Sequence, residues 1–151
     1  MENDEIDHKI NCISIVAPPV KGKTTILKNI IVSYIEDFDE TYIYYNNNCN
    51  EYDDFKSACT IKKLPNSISL NKRYLLIIDD EYLSSRIYER YLSFSNCLIV
   101  TSRHVSFQKS DFDDSHKYIT YEFNKLSSAN KVYTSICWKI DKFINRVYKS
   151  F

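Results

Sequence analysis

A chain of 151 residues and 17.9 kDa has room for one domain with its own core and not for two. Lys and Arg together number 20, as do Asp and Glu, so the formal net charge is zero and no global field draws nucleic acid to the protein. Five scattered cysteines without a C-x-x-C pair read as reduced thiols. The acidic start MENDEID is not a secretory signal, and no apolar run reaches the ~18 residues of a membrane span, so a soluble intracellular protein is expected.

In chain order, residues 1–9 are a polar leader and residues 10–151 form the single domain. The apolar run from Cys12 to Val16 reads as a strand, and APPVKGKTT (Ala17 to Thr25) follows it. Ile26, Leu27, Ile30, Ile31, Tyr34 and Ile35 recur at helical spacing, which predicts a helix from Lys23 to about Asp37. Thr41 to Tyr45 reads as a second strand, closed by the polar loop 46–51. Residues 52–72 fit either a short helix or loop, with Pro65-Asn66-Ser67 as punctuation. The run from Arg73 reads as a buried strand ending near Asp79, and Tyr82 to Leu92 carries a helical stripe. Cys97 to Thr101 is another buried strand, then a polar stretch over about 107–115 leads to a strand at Tyr118 to Phe123. A final helix from about Ser127 shows one apolar face through Val147. Strands alternating with helices predict an α/β fold, a mostly parallel sheet of about five strands with helices on both faces and ligand at the strands' carboxyl ends.

The only glycine of the chain, Gly22, falls directly before Lys23 and Thr24. That is where a phosphate-binding loop needs a residue without a side chain beside a lysine and a hydroxyl. Backbone N–H groups from Lys21 to Thr25 would wrap a β-phosphate at the helix N-terminus, Lys23 would reach the β/γ oxygens, and the Thr24 hydroxyl would ligate Mg²⁺. Ala17 stands in for the first glycine of the pattern; Pro18, Pro19 and Val20 fill the early loop, and Lys21 adds a cation near the phosphates. An accidental strand–turn–helix junction is the competing explanation of the loop alone.

A second motif counters it. The apolar run to Asp79-Asp80-Glu81 is the pattern of a buried parallel strand whose carboxyl end holds magnesium. Asp79 would hold the metal through water, and Asp80 or Glu81 would orient and deprotonate the attacking water. Acidic residues also suit a first helical turn, so this strand means most in combination with the loop upstream. Together they predict a P-loop NTPase.

The order APPVKGKTT, YIYYNNN, LLIIDDEY, CLIVTSRHV and HKYITYEFNKLSSANKVY resembles the ATPase core of poxvirus-type DNA packaging ATPases, within the FtsK-related branch of P-loop proteins, over about residues 10–135. The resemblance implies an ATP- and Mg²⁺-dependent motor, a homo-oligomeric ring that moves double-stranded DNA into a viral capsid, working with capsid proteins in the host cytoplasm or a viral factory. By residue it matches Lys23 and Thr24 to the loop, Asp79 to the magnesium aspartate, Asp80 to the carboxylate on water and Arg103 to the basic residue beyond the sensor strand. The family's glutamine falls on Val100, leaving Thr101 as the nearest polar substitute, and the longer C-terminal region of such motors is missing. A small nucleotide or nucleoside kinase, with Arg86, Arg90 and Arg103 as a sparse lid, and a degenerate non-catalytic nucleotide-binding assembly module are the alternatives. No N-K-x-D sequence reads guanine, and isolated pairs such as Lys62-Lys63 and Lys72-Arg73 mark no DNA contact.

Overall fold

The computed structural model describes residues 10–17, 22–45, 51–79, 90–103, 118–123 and 126–150. Among them are strands β1 (Cys12–Val16), β2 (Glu40–Tyr45), β3 (Thr60–Ile61), β4 (Tyr74–Asp79), β5 (Cys97–Arg103) and β6 (Tyr118–Glu122), with helices α1 (Lys23–Tyr34) and α2 (Ala129–Ser150). The strands form one sheet in the order β3-β2-β4-β5-β1-β6, and every pairing is parallel. About five strands were expected and six are found. The additional one is the two-residue β3, which extends the sheet past β2 and comes from the segment whose composition left helix and loop open.

Burial explains which strand lies where. β1 and β4 are buried at every position and sit inside the sheet, covered on both faces. β2 alternates, burying Thr41, Ile43 and Tyr45 while its other residues remain half-exposed, as suits a strand nearer the edge. On one face Ile13, Ile15, Ile43, Leu75, Ile77, Leu98 and Val100 meet the apolar stripes of α1 and α2. On the other, Cys12, Leu76, Ile78, Cys97 and Ile99 meet Tyr91 and Leu92 from the helical residues 90–92. Burial pushes the Cys12 thiol up to about 12, so this group packs as a neutral apolar side chain. Helix α1 ends one turn before the expected boundary, and residues Ile35–Asp37 tighten into a 3-10 turn.

The two long helices are tied to each other as well as to the sheet. The Tyr34 hydroxyl of α1 donates to the Cys137 carbonyl at 3.0 Å and lies 2.8 Å from Asp141 Oδ1 on α2, and the Ser33 and Tyr133 hydroxyls are 2.7 Å apart. Burial, then the hydrogen bond to Asp141, raises the Tyr34 hydroxyl well above the ordinary tyrosine value, which keeps it a neutral donor. Phe38 stacks on Phe143 with ring centroids 6.1 Å apart. Helix α2 thereby holds α1 against the sheet at a fixed angle, and α1 carries the loop residues at its N-terminus.

In a wholly parallel sheet all carboxyl ends fall on one edge. Register aligns Tyr45, Asp79 and Ser102 across β2, β4 and β5, with Ile15 beside Ser102 on β1. Helix α1 starts from that same edge, after the connection from β1. This is an α/β fold built on an all-parallel sheet, and its chemistry-bearing residues converge where parallel sheets bind ligands.

The placement of α1 is checked by two substitutions on opposite faces. Ile30 is fully buried and Val32 is 67% exposed. Ile30→Ala is expected to lower unfolding free energy by about 2–5 kcal/mol in denaturant titrations, and Val32→Ala to change it by no more than about 0.5 kcal/mol. Equal losses would contradict the described face of the helix.

Candidate nucleotide site

Gly22 precedes α1 with φ 90° and ψ 12°, in the left-handed region. Any side chain would cost about 1–2 kcal/mol there, which is the local reason the chain's single glycine stands at this position. The turn it makes aims the start of α1 at the sheet edge, and the Gly22 carbonyl accepts from Ile26 N–H at 3.0 Å to begin the helix. Helix geometry leaves the first N–H groups of α1 without acceptors inside the helix, and those groups carry the positive end of its dipole. Ala17, at the exit from β1, is buried at 1% exposure and belongs to the core beneath α1. Pro18, Pro19, Val20 and Lys21 lie outside the described residues.

Two ionisable side chains are buried at this edge. Lys23, in the first turn of α1, is 4% exposed, and Asp79, at the end of β4, is 6% exposed. Asp79 is ringed by hydroxyls from three other parts of the chain. Thr24 Oγ1 donates to its Oδ2 at 3.0 Å, Tyr52 OH donates to the same Oδ2 at 2.6 Å, and Ser102 Oγ donates to Oδ1 at 2.6 Å. A buried carboxylate has lost its hydration, and short charge-assisted bonds of this kind, each about 1.5–3 kcal/mol, compensate for it.

The donor set suits a small hard cation. Adjacent oxygens around an octahedral magnesium with bonds of about 2.1 Å are separated by about 3.0 Å, and the Thr24 and Asp79 oxygens are 3.0 Å apart. The pair fits either as neighbouring ligands or as one ligand and the acceptor of its proton. No cluster of three His, Cys, Asp or Glu side chains occurs among the described residues. Magnesium fits such a spare site because it takes few protein ligands and completes its shell with water and phosphate oxygens.

Of the other residues read from the sequence, Thr25 is exposed on α1 beside Thr24. Thr101 is fully buried, but it pairs in register with Ser14 and Ile78, on the sheet face opposite Asp79. The β5 hydroxyl brought to Asp79 is Ser102, one residue further on. The predicted strand stopped at Thr101; two more residues of alternation from the core position Val100 would have found Ser102. Asp80 and Glu81 lie outside the described residues, as do Arg86 and His104. Arg103 ends β5 in register with Val16, and its side chain lies outside the described residues.

Arg90 lies at the other end of the sheet. Its guanidinium bonds the Asn66 carbonyl and covers the Tyr91 ring, while the nearby Leu92 carbonyl accepts from Asn11, which precedes β1. An arginine at the amino ends of the strands is badly placed to close over a phosphate at their carboxyl ends. Tyr52 was missed entirely, because an aromatic residue after a polar loop carries no pattern that marks it as a partner of Asp79.

No family model and no curated protein matches the chain. Among solved structures, that of C. elegans PCH-2 is similar over 80% of this chain and 39% of the other, with 13% sequence identity and a TM-score of 0.39. The chain thus spans about two fifths of that protein, and a likeness this distant carries nothing about activity. No helix among the described residues is long and apolar enough to cross a membrane.

If Gly22 is required for its left-handed conformation, Gly22→Ala should lower stability by about 1–2 kcal/mol in thermal or denaturant unfolding. An unchanged midpoint would show that the turn accommodates a side chain.

Proposed function

We propose that the protein binds MgATP at the carboxyl edge of its sheet and hydrolyses it, as a P-loop ATPase. The observation that carries this reading is the 3.0 Å bond between Thr24 and Asp79, a hydroxyl on the first turn of a glycine-capped helix and a buried strand-end carboxylate. The two residues are 55 positions apart. A chance GKT turn has no reason to meet the end of an acidic strand.

In this reading the N–H groups at the start of α1 bind the phosphates, and the Lys23 ammonium neutralises their β and γ oxygens. Thr24 and Asp79 hold Mg²⁺, which when bound neutralises charge on the transferring phosphoryl group. Ser102 fixes the carboxylate from β5, and Asp80 or Glu81 takes the proton from the attacking water. ATP is favoured over other nucleotides by the resemblance to packaging ATPases, and so are a ring of subunits, double-stranded DNA as the moved polymer and a capsid as its destination. These finer assignments rest on the order of the motifs. Magnesium-dependent ATP turnover measured with and without double-stranded DNA tests them: stimulation supports a DNA motor, phosphorylated small-molecule product a kinase, and binding without turnover an assembly module.

Lys23→Ala should weaken MgATP binding at least tenfold in calorimetry while the thermal transition remains cooperative. Equal affinity in mutant and parent would remove the phosphate-loop assignment. Asp79→Asn should impair magnesium-dependent binding, whereas Asp80→Asn should preserve binding and lower turnover.

A single core of this size offers few groups for the charge that develops on the γ-phosphoryl, and an arginine supplied by a neighbour contributes on the order of 10³-fold or more. Arg103, at the carboxyl end of β5, is the first candidate. Turnover per subunit should rise with protein concentration, and mixing Arg103→Ala with Lys23→Ala subunits should restore activity. A concentration-independent rate from a stable monomer would defeat the assembly requirement.

A further inference from the structure

We propose that Tyr52 is a positioning residue for the metal site, fixing the Asp79 carboxylate through its hydroxyl; this rests on the magnesium-nucleotide reading of that site. The sequence gives Tyr52 no role, and neither the loop nor the acidic strand contains it. The structure nevertheless makes its hydroxyl a donor to Asp79, beside those of Thr24 and Ser102, at 2.6 Å from the oxygen that Thr24 also contacts.

The ring is held for this purpose from several sides. Tyr52 is fully buried. The Tyr45 ring packs on it at 5.0 Å, and Tyr45 is the register partner of Asp79 on β2, so the same strand pair fixes both the carboxylate and the buttress of its donor. The Tyr52 carbonyl accepts from Phe55 N–H at 3.0 Å, which starts the 3-10 turn Asp53–Phe55, and the Phe55 ring lies 6.4 Å away. On its other side the Lys28 ammonium of α1 is 5.9 Å from the ring centroid and pairs with Glu51 at 2.8 Å. The segment after β2 is thereby fastened to α1, one turn beyond Lys23 and Thr24.

This arrangement does more than fill space. A phenyl ring would pack equally well against Tyr45 and Phe55, whereas only a phenol supplies Oδ2 with a second donor. Carboxylates that serve metals are oriented by such outer bonds, and losing one typically costs 10–100-fold in metal affinity. Thr24 must direct its oxygen at the metal, so the Tyr52 and Ser102 hydroxyls are the ones that hold the carboxylate still.

The test is Tyr52→Phe, titrated with ATP by calorimetry at a series of Mg²⁺ concentrations and again in EDTA. The expected result is about a tenfold or greater rise in the Mg²⁺ concentration needed for half-maximal binding, with affinity in EDTA and the thermal transition close to the parent's. Identical magnesium dependence in parent and variant would overturn the role of Tyr52 and leave the nucleotide site intact. Equal loss with and without magnesium would also overturn it, marking Tyr52 as packing alone. If the parent itself shows no magnesium-dependent ATP binding, both the site and the role of Tyr52 fall together.

Discussion

The Asp79 carboxylate, taken out of water and returned to a polar environment by three hydroxyls, is the constraint on which the site depends. Thr24 brings the N-terminus of α1 to it, Tyr52 brings the segment after β2, and Ser102 brings β5. Removing the carboxylate would leave three oriented donors at the sheet edge with no common acceptor. Keeping it without them would bury a charge that lacks hydration, at a cost of several kcal/mol. The cluster therefore joins local folding to the placement of the chemistry.

The sheet makes this convergence possible. β1 and β4 are not neighbours, because β5 runs between them and pairs with both. That leaves the glycine turn and the acidic strand end one strand apart at the carboxyl edge, a gap spanned by Thr24 from above and closed by Ser102 from within the sheet. Since the strands are parallel, a register shift by one residue would turn Asp79 to the face of Ile78, away from α1. Correct register is fixed by the core itself, with Ile77 and Val100 on the α1 side and Ile78 and Ile99 on the other.

Much of this was legible because buried parallel strands write continuous apolar runs and α1 writes a helical stripe. Gly22 was legible from its motif, as the chain's single glycine directly before Lys23 and Thr24; its positive φ, which Lys62 also adopts, was not. The strand count differed because β3 is two residues long, too short for any periodicity. Thr101 drew attention as the polar residue nearest the expected glutamine, but alternation puts it on the other face, and the β5 hydroxyl at Asp79 belongs to Ser102. Tyr52 was beyond reach, since its partner is fixed only by how the chain returns after β2. Contacts across the sheet edge depend on tertiary placement, and nothing in local spacing encodes them.

The central claim, that Thr24 and Asp79 bind a divalent cation beneath a triphosphate seated on α1, is tested most directly by a crystal structure with a non-hydrolysable ATP analogue and Mn²⁺, located by its anomalous scattering. The account predicts one strong anomalous peak in direct coordination of Thr24 Oγ1, at about 2.1–2.2 Å, beside Asp79, with the β-phosphate against the N–H groups that begin α1. A metal peak away from Thr24 and Asp79, or a triphosphate bound elsewhere on the protein, would contradict it.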